Sequence, residues 1–139
     1  MIVVDEYLAT EVVSGNWPDG LPDDDDIALT ASRHWRLLQR VHKPAGGQLS
    51  RILSEFTDGE LLSIRFPHPE VLHILDPRPL LDDAAAINAR HNAGGWLISE
   101  TLAAGLLHRH ELWFGRERNV GPRLATAAEG LGIDIHILD

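Results

Sequence analysis

Short apolar runs alternate along this chain with longer stretches of helical spacing. Ile2-Val3-Val4 is an uninterrupted apolar run followed at once by Asp5 and Glu6. Such a run reads as an interior strand, parallel to its neighbours and covered on both faces. Tyr7 to Val13 predicts a short helix, ended by Ser14-Gly15-Asn16 and Pro18. Trp17 to Asp26 predicts a loop and Ile27 to Thr30 a short strand. Thr30 or Ser32 is then placed to cap a helix running to about Val41, with Trp35, Leu37, Leu38 and Val41 on its apolar side. Pro44-Ala45-Gly46-Gly47 breaks it, and Gln48 to Phe56 resumes helical spacing.

Leu61 to Phe66 predicts a strand closed by Pro67, and Val71 to Leu75 another closed by Asp76-Pro77. Helices are expected over Leu80 to His91 and Trp96 to about Leu107. Leu112-Trp113-Phe114 predicts a strand, Val120 or Pro122 to Leu131 a helix stopped by Gly132, and Ile133 to Leu138 a closing strand. The C-terminal third thus alternates helix and strand with short connections, which is the βαβ signature. The expectation is one domain over residues 1–139, a three-layer α/β/α fold with a central, mainly parallel sheet.

Composition adds limits. A chain of 139 residues with 44% hydrophobic content can bury a core of its own. Without cysteine, disulfides and thiolate metal sites are excluded. No run reaches the roughly 18 apolar residues of a membrane span, and no signal-peptide pattern opens the chain, so no membrane association and a cytoplasmic location are expected. The net charge of −9 argues against a protein that coats nucleic acid generally. Charge is nevertheless uneven. Asp23 to Asp26 are all acidic, whereas Ile27 to Ser54 holds no acid but carries Arg33, Arg36, Arg40, Lys43 and Arg51. A second basic group is Arg109, Arg116, Arg118 and Arg123. Local basic patches of this kind can hold an anionic substrate at one mouth of an acidic protein.

The acids past the first strand suggest chemistry. Ligands of open α/β sheets collect at the carboxyl edge, where Asp5 falls. If the first strand and Leu112–Phe114 are parallel neighbours, Glu117 lies at the same edge, and Glu100 on the helix from Trp96 can point toward it. Converging carboxylates suit a hard cation such as Mg2+ or Mn2+, which activates water and offsets phosphate charge. For each acid alone, the alternative is an ordinary surface carboxylate. Arg33, Arg36 and Arg40, at i, i+3 and i+7, share one helical face that can grip RNA phosphates, with Trp35 or Trp17 as a stacking surface. A solvated face and core tryptophans are the plainer alternatives.

Three segments resemble the PIN domain family, and within it the VapC-like toxins of bacterial type II toxin–antitoxin pairs. Met1-Ile2-Val3-Val4-Asp5 is similar to the family's first strand and leading aspartate. Leu97-Ile98-Ser99-Glu100-Thr101-Leu102-Ala103-Ala104 resembles the helix that carries a further acid. Glu111 to Arg118, continuing to Gly130-Leu131-Gly132-Ile133-Asp134, resembles the closing strand, acidic loop, helix and strand. The resemblance implies a magnesium-dependent endoribonuclease held by a cognate antitoxin, with Asp5, Glu100 and Glu117 catalytic and Glu6 a reserve metal ligand. It also allows a homodimer. Three positions depart from the family: Glu100 stands for aspartate, Phe114-Gly115-Arg116 replaces Thr/Ser-x-Asp, and Gln48-Leu49 falls where a second acid is usual. These departures imply the alternative, a non-hydrolytic PIN-like module that binds RNA or protein.

Other motifs carry less. The eight histidines include no His-Glu-x-x-His, and His108, Arg109 and His110 suit a helix C-terminus without a metal. Gly46-Gly47 and Gly94-Gly95 lack the residues of a phosphate loop, and no serine has a nucleophile-elbow context.

Overall fold

The computed structural model describes all of residues 1–139. Five parallel strands follow the chain: β1 (Ile2–Val3), β2 (Ile27–Thr30), β3 (His73–Leu75), β4 (Glu111–Phe114) and β5 (Asp134–Ile137). β1, β2 and β3 form one ladder and β4 with β5 another. A single parallel bridge, Val4 to Trp113, joins the two, giving the order β3-β2-β1-β4-β5. The Asp5 N–H donates to the Trp113 carbonyl at 3.0 Å across that junction. The order reverses between β1 and β4, so the crevice of this fold opens at their carboxyl ends.

Alternation along β1 and β4 sends side chains into two cores. Val3, Leu112 and Phe114 face a layer made of α5 (Leu81–His91), α6 (Trp96–Leu107) and α7 (Gly121–Leu131), with Leu102, Leu124 and Ala128 fully buried. Ile2, Val4 and Trp113 face α1 (Glu6–Val13), packing on Leu8, Ala9 and Val12. α6 is apolar around most of its circumference because it is covered on several sides, with Ser99 to Gly105 all buried. The expected α/β/α architecture is therefore what the chain adopts.

Between β2 and β3 lie three helices, α2 (Ala31–His42), α3 (Gly47–Ser54) and α4 (Asp58–Arg65). Their small core of Leu37, Leu49, Leu53 and Ile64 packs against Tyr7 and Val13 of α1. Here one expectation fails. Leu61 to Arg65 form the end of α4 and Phe66 its C-cap, and none of them is in a strand. The cause is local: Thr57 and Glu60 form a reciprocal capping box, which satisfies two orphan N–H groups and starts a helix through the apolar run. The other elements fall close to where the pattern puts them. Among them, Thr30 caps α2 by accepting from the Arg33 N–H at 3.4 Å.

No helix is long and apolar enough to cross a membrane.

Candidate functional site

Asp5 follows β1 and the Val4 bridge and is the N-cap of α1, its Oδ1 accepting from the Leu8 N–H at 2.9 Å. That role fits a residue caught between a buried strand and a helix whose first N–H groups need partners. Its other oxygen, Oδ2, accepts from the Gly115 N–H at 3.1 Å and from the Asn119 amide at 3.0 Å. Gly115 follows β4 directly, and a Cβ there would come within 2.8 Å of the Tyr7 Cβ, so only glycine lets the two strand ends close on each other. Burial pushes the Asp5 carboxyl up to about 6, helped by the neighbouring Glu6 charge and opposed by the Leu8 N–H, the Asn119 amide and Arg33.

Glu6 is also fully buried. Its Oε1 accepts from Arg33 Nη1 at 2.7 Å; its Oε2 lies 3.2 Å from Arg36 Nη1 and accepts from the Asn119 amide at 3.3 Å. Arg33, 1% exposed, also donates Nε to the Thr101 hydroxyl of α6 at 2.7 Å, and its guanidinium carbon lies 5.3 Å from the centre of the Phe114 ring. Glu100, on the same turn of α6 as Thr101, accepts at Oε1 from the Ser32 N–H at 2.8 Å and the Ser32 hydroxyl at 2.6 Å. A buried carboxylate thus meets the N-terminal turn of α2, where the helix dipole favours negative charge. Its Oε2 is buried and has no partner.

The structure brings Asp5, Glu6 and Glu100 to the carboxyl edge, all buried around α2 and the β1–β4 junction. It leaves Glu117 outside. That residue opens an exposed 3-10 turn (Glu117–Asn119), and Asn119 is the side chain that turns inward. Arg33 departs from its sequence-based placement: it is held inside by Glu6 and Thr101 and cannot lie on an RNA-facing surface. Of the three arginines expected on one face, Arg36 reaches the site, bonding the Asn119 carbonyl oxygen at 3.0 Å, while Arg40 is half-buried farther along α2. Trp17 donates its indole N–H to the Leu21 carbonyl at 3.0 Å and anchors a loop. Trp35 is 62% exposed and shares a shallow groove with Trp96.

A magnesium ion wants oxygen atoms with free lone pairs in near-octahedral array. Here the Asp5 oxygens accept three N–H bonds and the Glu6 oxygens face two guanidinium groups. No group of three or more His, Asp or Glu side chains is placed to hold a metal ion. As arranged, Asp5 and Glu6 do not fit a divalent cation, and Glu100 Oε2 is the one oxygen of the three acids without a partner.

Beside the carboxylates opens a cavity of about 530 Å³ lined by Tyr7, Gln48, Asn119 and four arginines, Arg36, Arg51, Arg116 and Arg118. No acid lines it. Arg116 lies against the Tyr7 ring, 5.6 Å from its centre. Gly47 and Gln48 of the wall begin α3, whose N-terminus has no side-chain cap. The cavity is therefore a concentrated positive site at the switch point of an acidic protein. It draws Arg36 and Arg51 from one basic stretch of the sequence and Arg116 and Arg118 from the other. The spacing of those stretches gives no sign of which members meet. Asn119 and Ser32 escape sequence reasoning altogether, because a lone amide or hydroxyl in a loop or helix start has no periodic signature.

No protein-family model, curated protein or solved structure matches the chain.

Proposed function

We propose that the chain is a PIN-like module that binds RNA through its phosphodiester backbone and does not depend on hydrolysis. The observation that carries this reading is the cavity of four arginines with no acid in its wall, at the sheet edge where α/β folds take ligands. Guanidinium forks match phosphate oxygens bidentately, and the uncapped start of α3 adds N–H groups of the kind that favour anions. Exposed Trp35 on α2 and Trp96 at the start of α6 offer faces on which unstacked bases can lie. The test is fluorescence anisotropy of a labelled single-stranded RNA at several salt concentrations, with and without chelator. Binding that weakens with salt, survives chelation and is lost on changing Arg51 and Arg118 to glutamate supports the proposal. Equal binding by the charge-reversed protein removes it.

The second reading is the magnesium-dependent endoribonuclease, the toxin of a toxin–antitoxin pair, acting in the cytoplasm and restrained by a cognate antitoxin. The unpartnered, buried Glu100 Oε2 favours it, since an orphan carboxylate oxygen is what an absent cation would leave. It requires Arg33 to give up Glu6. Cleavage of the same RNA in the presence of Mn2+, abolished by Asp5→Ala, is its signature.

A further inference from the structure

We infer that the guanidinium of Arg33, paired with the buried Glu6 beside Asp5, is the resident cation of this site and stands where the family resemblance expects a divalent metal, so that the domain folds and holds its site without one. Arg33 is among the largest side chains with almost no exposure in the molecule. It rises from α2 and touches three other elements: Glu6 of α1, Thr101 of α6 and the ring of Phe114 at the end of β4. These meet at the switch point, where Glu6 follows Asp5 and its carboxylate takes the guanidinium directly.

The charge balance points the same way. Of the three buried acids, Glu6 faces the buried guanidinium of Arg33 and the half-exposed Arg36, while Asp5 and Glu100 accept from neutral N–H and O–H groups. An unpaired buried carboxylate is strongly unfavourable, and a well-fitted fork of N–H donors relieves it. Arg33 and Arg36, one turn apart on α2, take one oxygen of Glu6 each. Unlike a bound ion, this cation is covalently part of the chain and cannot dissociate. The domain's integrity is then independent of metal concentration and of chelators.

The inference rests on the carboxylate geometry and not on RNA binding, and it separates the two functional readings above. The experiment uses the full chain without RNA, titrated with Mn2+ in a calorimeter and melted in EDTA and in Mg2+. Wild type should show no saturable Mn2+ binding at millimolar concentration and one melting temperature in both buffers. Arg33→Met should melt lower by roughly 10 °C or more, as expected for a buried charge stripped of its partner. It should also acquire saturable Mn2+ binding and recover part of the loss in Mg2+. Should Arg33→Met fail to fold, the double variant Glu6→Gln with Arg33→Met removes both charges together. It should fold and melt closer to wild type than either single change.

Saturable Mn2+ binding by wild type that disappears in Asp5→Asn overturns the inference and favours the nuclease. A folded Arg33→Met that binds no Mn2+ overturns it too, as does a double variant no more stable than the singles. None of these outcomes touches the anisotropy result for RNA.

Discussion

The amide of Asn119 lies 3.0 Å from the carboxylate of Asp5, a residue 114 positions earlier in the chain. The same nitrogen reaches Glu6 at 3.3 Å, and its carbonyl oxygen accepts from Arg36. One neutral side chain thus bridges two acids and an arginine between the end of β1 and the turn after β4. Asn119→Ala should destabilise the fold by about 1–3 kcal/mol, the usual cost of leaving buried acceptors short of a donor. Because this amide holds the Asp5 carboxyl down, its removal should also raise that carboxyl's pKa. Urea unfolding and an NMR titration of the Asp5 carboxyl check the two halves separately. An unchanged Asp5 titration would show that the bond carries no weight.

Stability should respond to pH through Asp5 in a direction opposite to that of most paired carboxylates. Its folded pKa, about 6, lies above the ordinary value of 3.8. The folded state therefore binds this proton more tightly than the unfolded chain does. The contribution is complete below about pH 4 and is lost as pH rises through about 6. Exposed acids such as Asp25 and Asp76, held low chiefly by hydrogen bonds from the chain's own amino group and from Arg78, act in the reverse sense. Subtracting the pH–stability curve of Asp5→Asn from that of wild type isolates the site. The difference should favour wild type increasingly as pH falls from about 7 to about 4. A flat difference would refute the assignment.

Gly115 is a close-approach glycine and not a flexible one. A Cβ would press on the Tyr7 Cβ at 2.8 Å and on the Leu8 backbone nitrogen at 3.4 Å. Gly115→Ala should therefore part the start of α1 from the end of β4 and lengthen the bond to Asp5. A cost of about 1–3 kcal/mol is expected for overpacking of this kind. A thermal melt measures it, and hydrogen exchange at the Gly115 amide should quicken. Gly95→Ala makes a useful contrast, because nothing stands near its Cβ and any loss there comes from a φ of +125° alone.

If the arginine cavity holds RNA, the salt dependence of binding reports how many phosphates it neutralises. Arg51 and Arg118 are exposed and lie in the wall of the cavity. Each alanine substitution should lower the slope of log affinity against log salt by about 0.7 for every single-strand phosphate left without its cation. Arg123, outside the cavity but in the same basic stretch as Arg118, should leave the slope unchanged when mutated. A slope equally sensitive to all three would mean diffuse attraction without a defined site.

The architecture is legible in the sequence because burial imposes period and composition. Ile2-Val3-Val4 has the make-up of an interior strand, and the mostly apolar helix from Trp96 to Leu107 has its limits marked by Gly95 and the histidines. The end of α4 reads as a strand because Leu61-Leu62-Ser63-Ile64 has a strand's composition, and the deciding signal, Thr57 with Glu60, lies upstream of the run. The site is half legible. Asp5 and Glu100 stand out because an acid beside a buried run is conspicuous. Arg33 reads as a surface residue because helical spacing reports which residues share a face, not which way that face points. The partners of the carboxylates come from positions 32, 33, 36, 115 and 119, and no local pattern links them.

The sheet is continuous only by courtesy of the Val4–Trp113 bridge and the Asp5 N–H bond beside it. On its carboxyl side, the seam is stitched further by side chains: Asp5 to Gly115 and Asn119, Glu6 to Asn119, and Arg36 to Asn119. The cavity takes its wall from both sides of the same seam, with Tyr7, Arg36 and Arg51 on one bank and Arg116 and Arg118 on the other. An anion seated there acts as a rivet through two plates. It would couple the three-strand half of the domain to the two-strand half mechanically, and its arrival would be felt as stiffness in the amides of β5 as well as in those of β4 beside Arg116.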